Sequence, residues 1–150
     1  MQLSLSEYGF KSVQGYEDKI PECICLLKRQ NINTNRAICV VQLSEKPKDI
    51  GAYIINLRNR VAFKVGFFPL LWGLGLQVII LCPSTTNGSL LPKDYVATVD
   101  NQWAIVQSVF FVDAKKNEFI EGRTWGQLIT GKFQDAISKE LQANYENVST

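Results

Sequence analysis

The fold turns on the stretch between residues 37 and 82, which opens with AICVVQL at 37–43. This run is rich in β-branched residues, is of strand length, and is apolar on both faces, as expected for a strand covered on both sides. Pro47, in the segment SEKPK at 44–48, suits a helix start. Ile50, Tyr53, Ile54, Leu57, Val61 and Val65 then recur at helical spacing. Wound as a helix they fall within an arc of roughly 120°, the width of a core-facing stripe. Asn56, Asn59 and Arg60 lie off that stripe, and Gly66 is placed to stop the helix. LQVIILC at 76–82 is a second strand of buried type, closed by Pro83. Strand, helix, strand in this order is a βαβ unit whose two strands run parallel.

Outward from this unit, STTNGSLLP at 84–92 reads as a loop, and an antiparallel meander is expected beyond it. Its strands are YVATV (95–99), AIVQSVFFV (104–112) and 118–121, with turns at 100–102 and 113–117. Thr124 and Gln127 fit a capping box, in which each side chain reaches the other's free backbone N–H. Trp125, Ile129, Phe133, Ala136 and Ile137 give the helix that follows its apolar face, and residues 143–150 are polar enough to fray. Upstream, residues 1–35 are the least legible. ECICLLK at 22–28 could be strand or helix, and NINTN at 31–35 is a loop by composition. The expected class is α/β or α+β. A single domain spans 1–150, with a mixed sheet of about five strands, a βαβ unit followed by the meander. Helices pack the sheet, one of them C-terminal.

The chain has 150 residues, 46 % hydrophobic and 20 % charged, which describes one globular domain with a real core. Lys and Arg number 16 against 14 Asp and Glu, and histidine is absent. The missing imidazole excludes Ser-His-Asp and Cys-His hydrolysis, HExxH zinc chemistry and any His-ligated metal. The near-even charge gives no overall footprint for nucleic acid. Lys28, Arg29, Arg36, Arg58, Arg60, Lys115 and Lys116 are scattered rather than clustered. MQLSLSEYGF at 1–10 lacks the basic and long apolar parts of a secretory signal. Cys39 and Cys82 sit in apolar runs, and Cys23-x-Cys25 is too tight for the usual redox or zinc spacing. The expectation is buried thiols, no disulfide, no cofactor and a cytoplasmic setting, where the sequons at Asn87 and Asn147 carry no meaning. Gly73-Leu74-Gly75 precedes a strand, whereas a phosphate-cradling loop follows one, so a nucleotide cofactor is not expected by that route.

Residues 65–82 (VGFFPLLWGLGLQVIILC) contain a single polar side chain, Gln77, and reach the lower edge of a membrane span. Pro69, Gly73 and Gly75 interrupt the run, and its second half is better explained as a strand, so no span is expected. Its first half still stands out. Phe67, Phe68, Leu70, Leu71 and Trp72 lie in a helix-to-strand connection, where polar residues are the rule. The segment folds back into the core, is an association patch anchored by aromatics, or touches a membrane surface, the last not being expected. The favoured function is a non-catalytic intracellular binding or assembly protein. It self-associates through these five residues as a homo-oligomer, or takes a protein partner there.

The alternative is catalytic. Asp100 lies at a strand end, and Asp113-Ala114-Lys115 follows at the end of the next strand. Two acids and a lysine on neighbouring strands can bind a divalent metal and activate water without histidine. The set resembles the (D)…(D/E)-x-K arrangement of the PD-(D/E)xK nuclease families. That resemblance implies a metal-dependent nuclease or phosphodiesterase using Mg²⁺ or Mn²⁺, with Asp100, Asp113 and Lys115 as its catalytic residues. Asp, Lys and Asn are also what hairpin turns favour, and in an up-and-down meander the two acids close opposite hairpin ends.

Overall fold

The computed structural model describes residues 5–30, 34–66, 73–82, 104–113, 118–123 and 127–146. They form one six-stranded mixed sheet with two α-helices. After a short 3-10 turn at Ser6–Tyr8 come β1 (Lys11–Ser12), β2 (Cys23–Gln30), β3 (Thr34–Gln42) and α1 (Ile50–Val65). β4 (Gly73–Leu81), β5 (Ala104–Asp113), β6 (Glu118–Arg123) and α2 (Gln127–Glu146) complete the order. The strands lie side by side in chain order, with β3, β4 and β5 parallel and the outer pairings antiparallel.

The strand–helix–strand unit forms as its apolar periods require. β3 and β4 pair in parallel from Thr34 opposite Gly73 to Gln42 opposite Leu81. α1 begins at Ile50, and Asp49 is its N-cap, accepting a 2.9 Å hydrogen bond from the Ala52 N–H. An Asp cap satisfies one of the orphan amides of the first turn, which Pro47, two residues earlier, cannot do. Gly66 ends the helix at φ 77°, a left-handed conformation that glycine adopts without a Cβ clash.

The meander is realised differently. β5 pairs in parallel with β4, not antiparallel with a preceding strand; the expected strand at 95–99 lies outside the described residues. The β5–β6 hairpin forms as read, with Asp113 opposite Glu118. Residues 23–30 resolve into strand β2, antiparallel to β3, and β1 adds a short edge, so the described strands number six. α2 continues to Glu146, past the point where polarity suggested fraying; Thr124, the proposed cap, lies outside the described residues.

Alternation along the strands divides the core into two layers. Ala37, Cys39, Val41, Leu76, Val78, Ile80, Val109 and Phe111 face α1, whose Ile54, Leu57 and Val61 are buried against them. Ile38, Val40, Ile79, Phe110 and Val112 face the other way, under Ala136, Ile137 and Leu141 of α2, with Leu5 and Phe10 beside them. No described helix is long and apolar enough to cross a membrane, and the second half of the apolar run 65–82 is strand β4.

Candidate functional site

Of the three residues of the carboxylate set, Asp113 alone is described. It ends β5, is fully buried, and lies close enough to Cys82 to act on its thiol. Burial pushes the Cys82 pKa up, Lys46 pulls it back, and Asp113 adds to the rise. Asp100 and Lys115 lie outside the described residues, as do Phe67, Phe68, Leu70, Leu71 and Trp72. Among the described residues no three Cys, Asp or Glu side chains gather as a metal-ligand group. What does adjoin the aromatic run is Phe63, on the last turn of α1 and 79 % exposed.

The densest unexplained chemistry lies between the sheet and α2. Gln77, on the same face of β4 as Ile79, is 2 % exposed, and neither end of its amide has a hydrogen-bond partner. Its register neighbours are Ile38 on β3 and Ser108 on β5; Ser108 is fully buried and its hydroxyl is likewise unpartnered. β5 carries one more residue than β4 at this point, so Gln107 forms a bulge. Its amide lies over Gly75, 2.8 Å from where a Cβ would stand, so a larger residue at 75 would have to push that flexible side-chain end aside. Gln107 is 6 % exposed with an unpartnered Oε1. From the helix side comes Gln134, fully buried, its amide nitrogen and oxygen both unpartnered. It lies on the same stripe of α2 as Ile137 and Leu141.

Two arginines border this layer. Arg36 of β3 is the register partner of Gly75 on one side and of Arg29 on the other. Both guanidiniums sit over the Phe133 ring, Arg36 at 4.6 Å and Arg29 at 5.4 Å from its centroid. Arg36 is paired with Gly75, over which the Gln107 amide lies, so this arginine and this amide are neighbours on the sheet. Among the described residues neither arginine is ion-paired, and the Arg36 Nη1 is buried without a partner. Burial and the adjacent Arg29 both depress the Arg36 pKa. Each orphaned buried group costs about 1–3 kcal/mol, so a layer of them is a substantial load on the fold.

Sequence reasoning met these residues one by one and missed the set. Gln77 was visible as the only polar side chain in an 18-residue apolar run, and Gln107-Ser108 as a polar step inside a buried strand. Strand pairing sets Ser108 opposite Gln77 and the bulge puts Gln107 over Gly75, and neither has a local signature.

On the α1 side a second polar group is largely paired, although the Arg60 Nε is buried without a partner. Arg60 pairs with both oxygens of Glu22 and donates to the Lys19 carbonyl, and the Tyr53 hydroxyl donates to Glu22. Burial alone would raise the Glu22 pKa, but the Arg60 and Tyr53 hydrogen bonds and the Arg60 charge outweigh it and hold the carboxyl below its ordinary value. A depressed carboxylate pKa contributes stability that is complete above the unfolded value and lost as pH falls through the folded one. The melting temperature should therefore drop as the solution is acidified below about pH 4, and Glu22→Gln should flatten that drop. Thermal melts of both proteins across pH 2–6 check this; equal slopes would contradict it. Nearby, the Cys23 and Cys39 sulfurs are 3.6 Å apart across the β2–β3 pair. The hydrogen bond between them lowers the Cys23 pKa and, with burial, keeps Cys39 well above the usual thiol range.

The chain matches no protein-family model, no curated protein and no solved structure.

Proposed function

We propose that this protein is a non-catalytic binding and assembly protein that forms a homodimer through Phe67, Phe68, Leu70, Leu71 and Trp72. The observation that carries this reading is Phe63. It stands 79 % exposed on the last turn of α1, four residues before Phe67 in the sequence, on the side of the helix turned away from its own core. An exposed aromatic running into five more large apolar residues is the composition of an association patch, in which Phe and Trp act as anchors. A second copy of the chain covers the patch without requiring a further partner, and a two-fold interface needs only that the patch be self-complementary.

Light scattering should give a mass of two chains. Phe68→Ser combined with Trp72→Ser should give monomer or insoluble protein. Phe63→Ser, altering a side chain already exposed, should leave the fold intact by circular dichroism and weaken association at least tenfold, about 1.4 kcal/mol. A monomeric wild-type chain at high concentration would overturn the reading. So would Mg²⁺- or Mn²⁺-dependent cleavage of DNA or RNA that Asp113→Ala abolishes.

A further inference from the structure

We propose that Cys23 and Cys39 form a peroxide-responsive dithiol. Hydrogen peroxide closes them into a disulfide that ties the start of β2 to β3, and a thiol reductant reopens it.

A strand irregularity brings the pair together. Cys39 is the register partner of Leu26, and both face α1. Continued without interruption, that register would turn Ile24 toward α1 and Cys23 toward α2, because side chains alternate between the faces. The register shift between Cys23 and Cys25 reverses this. It sets Cys23 opposite Val41, on the face of Cys39, and leaves Ile24 43 % exposed. Exposing an isoleucine in order to enclose a cysteine runs against the burial of apolar area, so packing alone does not account for the bulge. Both residues are thiols in the structure, and their sulfurs lie 3.6 Å apart. Closing to a disulfide length of about 2.05 Å requires roughly 1.5 Å of sulfur movement, within the reach of χ1 rotation.

The hydrogen bonds give the two sulfurs unequal roles. The Cys23 S–H donates to the Cys25 carbonyl at 3.3 Å, so the bond between the sulfurs takes its proton from Cys39. That donor favours a Cys23 thiolate and holds the Cys23 pKa below the usual thiol value. The same bond, with burial, keeps Cys39 protonated. Cys23 also retains 5 % of its surface, and Cys39 none. Cys23 is therefore the attacking sulfur and Cys39 the resolving one. The Cys23 thiolate attacks one peroxide oxygen: a sulfur–oxygen bond forms, the O–O bond breaks, and the departing hydroxide takes up the proton that Cys23 lost, as water. The Cys39 sulfur then attacks the Cys23 sulfur. The S–S bond forms, the sulfur–oxygen bond breaks, and the second hydroxide leaves with the Cys39 proton, again as water. The two sulfurs give up two electrons, and the peroxide accepts them.

The other two thiols are set apart by position. Cys25 packs on the α2 side and Cys82 follows the end of β4, and burial raises the pKa of each. Exposure alone would select the half-buried Cys25 as the first to oxidise, whereas the geometry selects two thiols that are more enclosed. The bond forms within one chain, so it does not depend on self-association.

The test treats the reduced full chain with hydrogen peroxide at neutral pH. Its mass should fall by about 2 Da, two hydrogen atoms, and peptide mapping should join Cys23 to Cys39. Cys25 and Cys82 should still react with iodoacetamide after denaturation. The joined residues are 16 positions apart, so closing the loop should raise the melting temperature by roughly 5–10 °C. Dithiothreitol should reverse both changes. Cys25→Ser should leave the mass loss and the shift in place, and Cys23→Ser should abolish them. Cys39→Ala replaces Cys23→Ser if the latter fails to fold, and mapping of the wild-type chain decides the matter in either case. No mass loss, oxidation of Cys25 ahead of the pair, added oxygen without a cross-link, or a bond between two chains would overturn the proposal. A cross-link that lowered the melting temperature would also overturn it, since the native strands would then not accommodate the bond.

Discussion

Phe110→Ala is expected to lower the free energy of unfolding by about 3–5 kcal/mol, the usual range for removing a fully enclosed phenyl group. Phe110 is fully buried in the central part of β5, on the face that α2 covers, and its ring lies 6.4 Å from that of Phe119 on the neighbouring strand. Truncation removes the transfer energy of the ring and leaves a cavity that neighbours on paired strands cannot fill by side-chain motion alone. Urea denaturation followed by far-UV circular dichroism measures the loss. A change below about 1 kcal/mol would mean that the α2 layer is not close-packed.

The second large effect is on the opposite face. Leu57 is fully buried in the middle of α1, where helix and sheet meet, and Leu57→Ala should cost about 2–5 kcal/mol. The two side chains share no cluster, since Phe110 packs toward α2 and Leu57 toward α1. Their effects should therefore add to within about 0.5 kcal/mol in the double variant. Domain stabilities run at about 5–15 kcal/mol, so the double variant should be largely unfolded at room temperature at the lower end of that range. Both single variants should still unfold in one transition. The two layers are the two sides of the same strands, so neither can melt while the other keeps its sheet. Separate transitions for the two faces would refute that picture.

How much was legible follows from the range of the interaction concerned. β3, α1 and β4 were readable because a strand covered on both faces and a helix with one buried stripe each write their period into consecutive residues. The end of α1 at Gly66 was readable because left-handed backbone selects glycine locally. β2 was ambiguous because its eight residues are too few to separate a strand from a helix, and pairing with β3 decides the matter. The partner of β5 differs from the expected one because a meander and a return to the parallel sheet contain the same strand sequence. Only the connection preceding the strand distinguishes them, and connections carry no pairing code.

Of the candidate sites, the carboxylate set rested on spacing along the chain, and spacing does not report burial: Asp113 turns out to be fully enclosed. Arg29 and Arg36 look like scattered charges in the sequence because they are seven positions apart. The β2–β3 hairpin places them side by side.

By itself, then, the sequence determined the absence of imidazole chemistry, a mixed sheet built on a βαβ unit, and the position of an unusually apolar connection. Each follows from composition or from a period of two or 3.6 residues. Tertiary structure decided that β5 joins β4 in parallel, that a bulge turns Gln107 onto Gly75, and that Arg29 and Arg36 both lie over the Phe133 ring of α2. The reason is physical. Whether a glutamine in a strand is an exposed edge group or an orphaned buried donor depends on what covers it, and the face of β4 that carries Gln77 and Ile79 is packed by a helix beginning 50 residues later, at Gln127.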